Sequence, residues 1–564
     1  MLPPALQAPL LVRITGTTAP KLVRITGSKA PKLVRMTGAN APKLVRITGL
    51  KAPKLVRITG MTAPKLVRIT GSKAPKLICI TGTKATKLVR ITGTTGPKII
   101  CITGIACLFL VQLTKDKHMH RNALQHLAAW KNDPQRKPLL VFGARQVGKT
   151  WLMKEFGATH YAKVAYISLD NNDRMKNVFQ GDYDVKRLLT ALQIEANLAI
   201  TPQDTLIILD EIQEIPRALT ALKYFCEEAR EYSIVAAGSL LGITAKKDTG
   251  YPVGKVDTLN LFPMSFTEFL AATSNARFGD LLATRDWPMI TTFNSNFAEL
   301  LRHYYYVGGM PEVVATFVEY NDFKRVRRIQ NRLLDDYRRD FSKHAPADII
   351  PRLEMVWDSI PTQLARENKR FLYSSVRESG RAREFELALR WLMDAGLIYQ
   401  TARITKPAIP LNAYRDTAFK VFFLDVGLLA AKAKLDSRTL LEGNQIFQEF
   451  KGALAEQYVQ QQLRSELDID PYYWTAERGE AEVDFLFQHG MNIVPLEVKA
   501  EVNLHAKSLK SYCQKYAPRI GARTSMSDYF RQDIVFANDA GKNHTYTLLD
   551  LPLYAMSQLL AECE

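Results

Sequence analysis

The chain has 564 residues with 76 Lys+Arg and 56 Asp+Glu, a formal net charge of +20. Residues 1–118 hold 21 of the basic residues and one acid, Asp116, so residues 119–564 carry 55 of each sign and are neutral. The charge therefore gives no evidence that the body binds nucleic acid or an anionic membrane, and 47% hydrophobic residues exclude a chain that is disordered throughout.

The first 118 residues are built from an 11-residue repeat, APKLVRITGxx, with units that begin at Ala8 and recur up to Gly96. Alternation in KLVRIT favours a strand, and Gly followed by Ala-Pro favours a turn. In-register stacking would place Lys over Lys and Arg over Arg, which is repulsive. We therefore expect residues 1–118 to be poorly structured.

The near-identity of the units suggests a duplicated stretch of coding DNA, upstream of a start at Met119. In that hypothesis residues 1–118 are not part of the native product. The alternative is a basic arm that holds nucleic acid or a membrane through screened charge.

Cysteine usage and hydropathy indicate a cytoplasmic protein without a membrane span. The six Cys residues form no CxxC pair, which argues against disulfides and structural zinc. The most apolar stretch, 99–113, is short and interrupted by Thr, Gly and Gln.

A phosphate-binding loop is predicted where the apolar run LLVFG leads into GARQVGKT and then a helical segment. The motif GxxxxGK[ST] covers Gly143, Ala144, Arg145, Gln146, Val147, Gly148, Lys149 and Thr150. Its backbone N–H groups would face the phosphates of ATP, Lys149 would add a positive charge, and the Thr150 hydroxyl would bind Mg²⁺.

Two acids end the next apolar strand, TLIILDE. We expect Asp210 to hold Mg²⁺ and Glu211 to polarise the attacking water. A further strand, SIVAAGS, ends at Ser239, whose side chain would sense the γ-phosphate. These strands alternate with helical segments, which predicts an α/β fold with a doubly wound parallel sheet.

The motifs GARQVGKT, ILDEIQ, AAGSLLG, LFPMSFTEFL and YYYVGGMPEVV together resemble a large prokaryotic family of AAA-type P-loop ATPases with an appended C-terminal domain of unassigned function. The resemblance covers 119–564 and implies ATP binding and hydrolysis. Similarity to signal-transducing ATPases of the same superfamily implies that Gly308, Gly309 and Pro311 lie near the nucleotide in a helical lid. A helix cap followed by an N-terminal Pro explains the same residues. Arg338 and Arg339 are candidates for an arginine finger or for a solvated helix face.

Residues 351–435 predict a winged helix, with three helices followed by a hairpin. In the third helix Phe385, Leu389 and Leu392 share one face, and Arg383 and Arg390 lie opposite. The two arginines would contact DNA, the surface would serve protein docking, or the arginines would form only a solvated helix face.

The last segment carries three carboxylates and a lysine. Glu456 lies on an amphipathic helix, and Asp484 and Glu497 are equidistant from a hairpin turn at Gly490, with Lys499 on the same face as Glu497. This resembles the D-x(12)-ExK pattern of restriction-endonuclease-like folds, which implies a Mg²⁺ site formed by Glu456, Asp484 and Glu497. An internal salt-bridge network explains the same residues.

The predicted domains are thus the repeat (1–118), a P-loop ATPase domain (119–297), a helical lid (298–350), a winged helix (351–435) and an α/β restriction-endonuclease-like domain (436–564). We expect an ATPase coupled to a nuclease-like domain that acts on DNA. The alternative is a nucleotide-switched signalling or interaction protein whose C-terminal domain binds without cleaving.

Overall fold

The computed structural model describes the repeat strands between 11 and 110 and then residues 120–239, 241–243, 250–366, 369–436, 448–476, 481–500, 507–537 and 543–564. The chain forms two compact units, 1–118 and 119–564.

The first compact unit contains ten strands, one from each of the nine sequence repeats and a two-residue strand after the last of them. They are β1 (Leu11–Thr15), β2 (Leu22–Gly27), β3 (Leu33–Thr37), β4 (Leu44–Gly49), β5 (Leu55–Thr59), β6 (Leu66–Thr70), β7 (Leu77–Thr81), β8 (Leu88–Thr92), β9 (Ile99–Thr103) and β10 (Phe109–Leu110). Odd-numbered strands form one parallel sheet, β1-β3-β5-β7-β9, and even-numbered strands form a second, β10-β8-β6-β4-β2.

The pairing of these strands is in register, so that Leu11 pairs with Leu33 and Arg13 with Arg35. The expectation of a poorly structured repeat is therefore corrected, because the β propensity of LVRIT prevails over the stacking of like charges. Partners lie two units apart because alternate strands belong to different sheets. The predicted turns lie outside the described residues.

The second unit begins with a parallel sheet of five strands. They are β11 (Leu139–Phe142), β12 (Lys163–Ser168), β13 (Thr205–Asp210), β14 (Ser233–Ala237) and β15 (Asp257–Asn260), in the order β12-β13-β14-β11-β15. The helices of this layer are Ala123–Asn132, Lys149–His160, Asp173–Gln180, Val185–Ala196 and Pro216–Glu228.

Helices cover both faces of this sheet. Along β13 the side chains alternate between two hydrophobic clusters: Leu206 and Ile208 belong to one, and Ile207 and Leu209 to the other. A strand buried on both faces is typical of a doubly wound parallel sheet. The predicted P-loop fold class is confirmed.

A group of helices follows the sheet. They are Phe266–Ala272, Ala276–Thr284, Trp287–Thr292, Asn294–Val307, Pro311–Tyr320 and the long lid helix, Phe323–His344. The helical part begins before the predicted lid boundary at 298.

The segment predicted as a winged helix contains the helices Ile350–Leu364 and Ala382–Asp394, and a 3-10 turn, Tyr373–Ser375, in place of the short second helix. Strands β16 (Ile398–Ile404) and β17 (Arg415–Phe423) form the expected antiparallel hairpin, and a helix, Val426–Lys432, follows. The hairpin is not a free wing, because β16 pairs in parallel with β18 (Tyr472–Thr475) of the next segment.

The C-terminal part extends that hairpin into an eight-stranded sheet, β17-β16-β18-β19-β20-β21-β23-β22. Its further strands are β19 (Glu482–His489), β20 (Asn492–Val498), β21 (Ile520–Ser525), β22 (Phe530–Ala537) and β23 (Asn543–Pro552). The helix Gln448–Ser465 precedes β18, Lys507–Tyr516 connects β20 to β21, and Leu559–Glu562 is the last helix described. Within the described parts of the chain, no helix is both long and apolar enough to cross a membrane.

Candidate functional site

The loop between β11 and the helix Lys149–His160 has the backbone that its glycines predict. Gly143 and Gly148 have φ of 144° and 97°, which L side chains rarely adopt. A Cβ at Gly143 would lie 2.3 Å from the Leu261 carbonyl oxygen. Because Gly143 has no side chain, the loop lies directly against the backbone that follows β15.

Lys149 is buried in this loop. Its Nζ donates to the carbonyl oxygens of Gly143 and Ala144, each at 2.8 Å. Burial lowers the pKa of the Lys149 ammonium to about 8, against the opposing effect of Glu211 and Asp210. The ammonium is therefore held between the loop and the acids at the end of β13.

Thr150 and Asp210 supply oxygen atoms suited to Mg²⁺. The Thr150 hydroxyl donates to Asp210 Oδ2 at 2.7 Å, and the Tyr166 hydroxyl donates to the same oxygen at 3.0 Å. Burial and the nearby Asp210 raise the pKa of Tyr166 to about 12, so that its hydroxyl stays a donor. A hydroxyl beside a buried carboxylate, at the edge of a phosphate-binding loop, fits the ligand preference of Mg²⁺.

Two of the predicted site residues, Glu211 and Ser239, are in contact. The Ser239 hydroxyl lies 3.0 and 3.1 Å from the two carboxylate oxygens of Glu211. Gln213 Nε2 also donates to Glu211 at 2.7 Å. Glu211 has a positive φ of 54°, a conformation that non-glycine residues adopt rarely and that often occurs at functional sites.

The long lid helix holds the outer part of the loop. Arg145 forms an ion pair with Asp340, and Tyr337 donates to the Arg145 carbonyl oxygen at 2.9 Å. Gln146, with φ of 67°, donates to Asp336 at 3.4 Å. Arg145 and Gln146 thus tie the loop to one face of this helix.

The two arginine-finger candidates on the lid helix have partners elsewhere. Arg338 forms an ion pair with Asp358, and Arg339 lies 3.0 Å from Asp336 of its own helix. Their side chains are 42% (Arg338) and 76% (Arg339) exposed. The structure therefore describes them as members of a solvated helix face.

Arg121 contacts the loop from the other side and was missed by the sequence analysis. Its guanidinium donates to the carbonyl oxygens of Val147 at 3.0 Å and Phe262 at 2.6 Å, and pairs with Glu268 at 3.2 Å. Arg121 and Glu268 are 3% and 4% exposed, so this pair is buried. A lone Arg near a helix start offered no signal in the sequence.

Pro311 lies beside the loop, as the resemblance implied. A Cβ on Gly148 would be 3.4 Å from the Pro311 ring. Gly308 and Gly309 approach another group: the Gly309 amide donates to Asp425 Oδ2 at 2.6 Å. Both the predicted helix-cap geometry and the position near the nucleotide loop are thus present in this segment.

Asp425 is fully buried and joins three segments. It also accepts from Leu428 N at 2.9 Å, as the N-cap of its helix, and from Gln461 Nε2 at 3.1 Å. An Asp before the helical segment VGLL predicts an N-cap from the sequence. The contact between Asp425 and Gly309 is not predictable in this way, because the two residues are 116 positions apart.

A second contact brings the segment predicted as a winged helix against the loop. A Cβ on Gly396, which has φ of 71°, would lie 3.2 Å from the amide nitrogen of Ala144. Near this contact a cavity of about 400 Å³ opens between Ala144, Ser239, Tyr399 and Arg464. The nucleotide loop and the hairpin segment therefore share a boundary.

The structure also brings together Glu456, Asp484 and Glu497, which are 6%, 8% and 4% exposed. The register of β19 and β20 pairs Phe485 with Leu496, which continues to Asp484 opposite Glu497, as predicted. Lys499 lies 2.7 Å from Glu497. These residues form the acid cluster, to which Glu482 also belongs.

Two lysines that the sequence analysis missed enter the acid cluster. Lys420 of β17 is 0% exposed, and its Nζ lies 2.5 Å from Glu482 and 3.7 Å from both Glu456 and Asp484. Lys369 forms an ion pair with Glu456. The cluster is thus an ion-pair network of carboxylates and lysines.

The pKa shifts follow from this arrangement. Burial, together with Glu456 and Glu497, raises the pKa of Asp484 well above its usual value, and burial raises that of Glu497. Burial would also raise the pKa of Glu456, but Lys369 and Lys420 outweigh it and lower the value. The lysines therefore compensate part of the buried negative charge.

A Mg²⁺ site in this cluster does not fit the residues present. Carboxylates are suitable ligands, but an ammonium group already lies among three of them. Within the described residues, no group of three or more His, Cys, Asp or Glu side chains is placed to hold a metal ion. The predicted metal set Glu456, Asp484 and Glu497 is corrected on this point, because Lys420 comes from a distant strand.

The helix Ala382–Asp394 has the two faces that were predicted. Phe385, Leu389 and Leu392 are buried, and Arg383 and Arg390 are exposed. Whether the arginines contact DNA stays a prediction.

Three sequence profiles match the chain. A family described as AAA domain matches residues 135–270, and two domains of unknown function, DUF8612 and DUF4143, match 298–439 and 451–541. The DUF8612 match spans both the predicted lid and the predicted winged helix. No curated protein matches the chain.

Solved structures show distant likenesses. The Walker-type ATPase PABY2304 of Pyrococcus abyssi is 13% identical, with 57% of this chain and 97% of that chain covered and a TM-score of 0.37. The Aeropyrum pernix ORC1 protein in complex with DNA is 11% identical, with 58% and 93% covered and a TM-score of 0.23. The RuvB Holliday junction branch migration motor of Thermotoga maritima is 14% identical, with 51% and 89% covered and a TM-score of 0.24.

These TM-scores are too low for the likenesses to carry an argument. The sheet order, the glycine-bounded loop with its lysine, and the profile match agree without them. Residues 135–270 therefore form a P-loop domain of the AAA type.

Proposed function

We propose that this protein binds ATP with Mg²⁺ and hydrolyses it at the loop Gly143–Thr150. The observation that carries the proposal is the convergence of Lys149, Thr150, Asp210 and Glu211 at the carboxyl ends of β11 and β13. In open parallel sheets this edge is where ligands bind.

Each residue has a role in that reaction. The loop amides bind the phosphates, and Lys149 exchanges its two carbonyl partners for phosphate oxygens. Thr150 and Asp210 would hold Mg²⁺, which neutralises phosphate charge when bound. Ser239 and Gln213 orient the Glu211 carboxylate, which accepts a proton from the attacking water.

Binding and hydrolysis are tested on the full chain with Lys149→Ala. A fluorescent ATP analogue should bind the unaltered protein in a Mg²⁺-dependent manner, and phosphate release should be measurable. The variant should lose both signals, since it removes the buried positive charge. Equal binding by the two proteins would contradict the assignment of the site.

Two contacts support coupling between the nucleotide site and the C-terminal part. Asp425 links Gly309, near Pro311 and Gly148, to Gln461 of the helix Gln448–Ser465. Gly396 touches Ala144 of the loop itself. A nucleotide that moves the loop or the lid would therefore act on the segments that follow.

We further propose that residues 436–564 have a restriction-endonuclease-like fold. The helix Gln448–Ser465, the antiparallel strands β18, β19 and β20, the helix Lys507–Tyr516 and the parallel strand β21 follow one another in the order αβββαβ. This order and the placement of Asp484 and Glu497 support the assignment.

The ion-pair network favours the non-cleaving alternative for this domain. A nuclease of the predicted type would use Mg²⁺ between the carboxylates, and Lys420 lies there instead. We therefore propose a nucleotide-switched interaction protein, with DNA as one candidate partner. The nuclease remains the second candidate, supported by the topology alone.

ATP hydrolysis by the full chain with and without duplex DNA tests the partner. Stimulation that persists in Arg383→Ala/Arg390→Ala would place the contact outside the winged-helix segment, and loss of stimulation would place it on that face. Mg²⁺-dependent cleavage of the DNA would contradict the non-cleaving role and favour the nuclease.

A further inference from the structure

The fully buried Lys420 is the central feature of the acid cluster. It extends from β17, in the segment predicted as a winged helix, into a site formed by the C-terminal strands and the helix Gln448–Ser465. Its Nζ also lies 5.0 Å from the centre of the Tyr473 ring. The pairing of β16 with β18 brings this strand to the site.

Lysine side chains usually lie at the surface of a folded protein, whereas Lys420 is fully buried. Burial opposes the charged form, but Glu456, Glu482 and Asp484 outweigh this effect and raise the pKa of Lys420. The ammonium therefore stays charged at neutral pH, and its neighbours are the oxygen atoms that a metal would need.

The carboxylates show the need for a cation at this position. Oε2 of Glu456 and Oε2 of Glu497 are buried and form no hydrogen bond with the part of the chain that the structure describes. Glu456 Oε2 is the oxygen that lies 3.7 Å from Lys420 Nζ. A buried carboxylate oxygen without a donor requires a nearby positive charge, and for Glu456 Lys420 supplies it.

The four carboxyl groups of the cluster are met by three lysines: Lys369 pairs with Glu456, Lys420 lies among three acids, and Lys499 pairs with Glu497. Mg²⁺ needs oxygen ligands at about 2.1 Å, and an ammonium within 4 Å would repel it. The lysines therefore occupy the space between the carboxylates and neutralise the negative charge that would bind a divalent metal ion.

We propose that Lys420, assisted by Lys369, is a tethered cation that takes the place of a divalent metal ion, so that the acid cluster of this chain binds neither Mg²⁺ nor Mn²⁺. The inference deepens the proposed non-cleaving role of the C-terminal domain. It is independent of ATP hydrolysis, which takes place at another site.

The test measures Mn²⁺ binding to the full chain without nucleotide, and electron paramagnetic resonance quantifies the Mn²⁺ that stays free. The unaltered protein should show no saturable site that depends on the cluster. Lys420→Met should gain one saturable Mn²⁺ site, with an affinity at least tenfold higher than that of any Mn²⁺ binding by the unaltered protein. Added Mn²⁺ should also raise the melting temperature of this variant.

Lys432→Met is the matched control. Lys432 is also largely buried, lies 2.8 Å from Asp358 and 4.9 Å from the centre of the Trp357 ring, and is outside the cluster. The Lys432→Met variant should be less stable than the unaltered protein and should gain no Mn²⁺ binding. A folded Lys420→Met protein that gains no site would overturn the proposal.

A second measurement decides the question if Lys420→Met does not fold. Mn²⁺ binding by the unaltered chain that disappears in Glu497→Gln would overturn the tethered cation, and no difference between the two proteins would support it. Such binding without DNA cleavage would leave the non-cleaving role intact, whereas cleavage would refute both.

Discussion

Asp425 accepts a hydrogen bond from the Gly309 amide at 2.6 Å and has no exposed surface. One carboxylate thereby links the turn after the helix Asn294–Val307, the helix that it caps, and Gln461 of the C-terminal part. A Cβ at Gly308 would lie 2.1 Å from its Oδ1, so that only glycine permits this approach. The lid and the C-terminal part are joined at this residue.

Asp425→Asn should destabilise the protein by about 2–3 kcal/mol, because it replaces a charged acceptor that several buried donors share. Urea unfolding measures the change in free energy. Asp322→Asn is the matched control, since Asp322 also caps a helix, with bonds to Lys324 N and Arg325 N, but its side chain is 42% exposed. Equal losses in the two variants would argue against a special role for the buried link.

Glu211→Gln should retain nucleotide binding and slow hydrolysis by about 10²–10⁴-fold, the usual contribution of a general base. Ser239→Ala should have a smaller effect in the same direction, because it removes only a hydroxyl that orients Glu211. Single-turnover phosphate release separates hydrolysis from product release. Unchanged rates in both variants would refute these roles.

The affinity for ATP should fall as the pH rises above about 8, where Lys149 loses its proton in the free protein. Phosphate binding favours the charged lysine, so affinity should fall by up to about tenfold per pH unit in this range. Titration of a fluorescent ATP analogue between pH 7 and pH 10 measures this.

The same group has the opposite effect on stability. Its pKa is lower in the folded state than its ordinary 10.5, so the unfolded chain binds more protons between about pH 8 and 10.5. The contribution of Lys149 to the free energy of unfolding therefore increases with pH across this window. An ATP affinity that is flat across the window would contradict the assignment of the pKa.

Arg121→Gln should lower the free energy of unfolding by about 3–5 kcal/mol, because it leaves Glu268 charged and unpaired in a buried site. It should also weaken ATP binding, since Arg121 holds the Val147 carbonyl of the loop. Arg174→Gln is the control, as its ion pair with Glu195 involves an 82% exposed arginine. Comparable losses would indicate that burial of Arg121 is unimportant.

Removal of residues 1–118 should leave ATP hydrolysis unchanged, because every contact of the nucleotide loop described above comes from Arg121 or later. It also removes the whole net charge of +20. DNA binding that depends on the repeat should therefore disappear and should weaken steeply with salt in the full chain.

Intact-mass measurement of the native protein tests the separate hypothesis of a start at Met119, and peptides from the repeat would refute it.

The sequence alone predicted the features that depend on neighbouring residues. The loop from Gly143 to Thr150, the acids that end β13 and the opposition of Asp484 and Glu497 across a hairpin are all fixed by short stretches of chain. Their geometry follows from glycine conformation, strand alternation and turn position.

Only the tertiary structure decided which distant groups share these sites. Arg121 pairs with Glu268, Asp425 with Gly309 and Lys420 with Glu456, all distant in sequence. A buried ion or amide accepts whichever complementary group the packing brings near. The carboxylates alone predict a metal site, but with Lys420 among them they form an ion-pair network. The pattern of the acids could not show this, because charge compensation depends on a strand outside the motif.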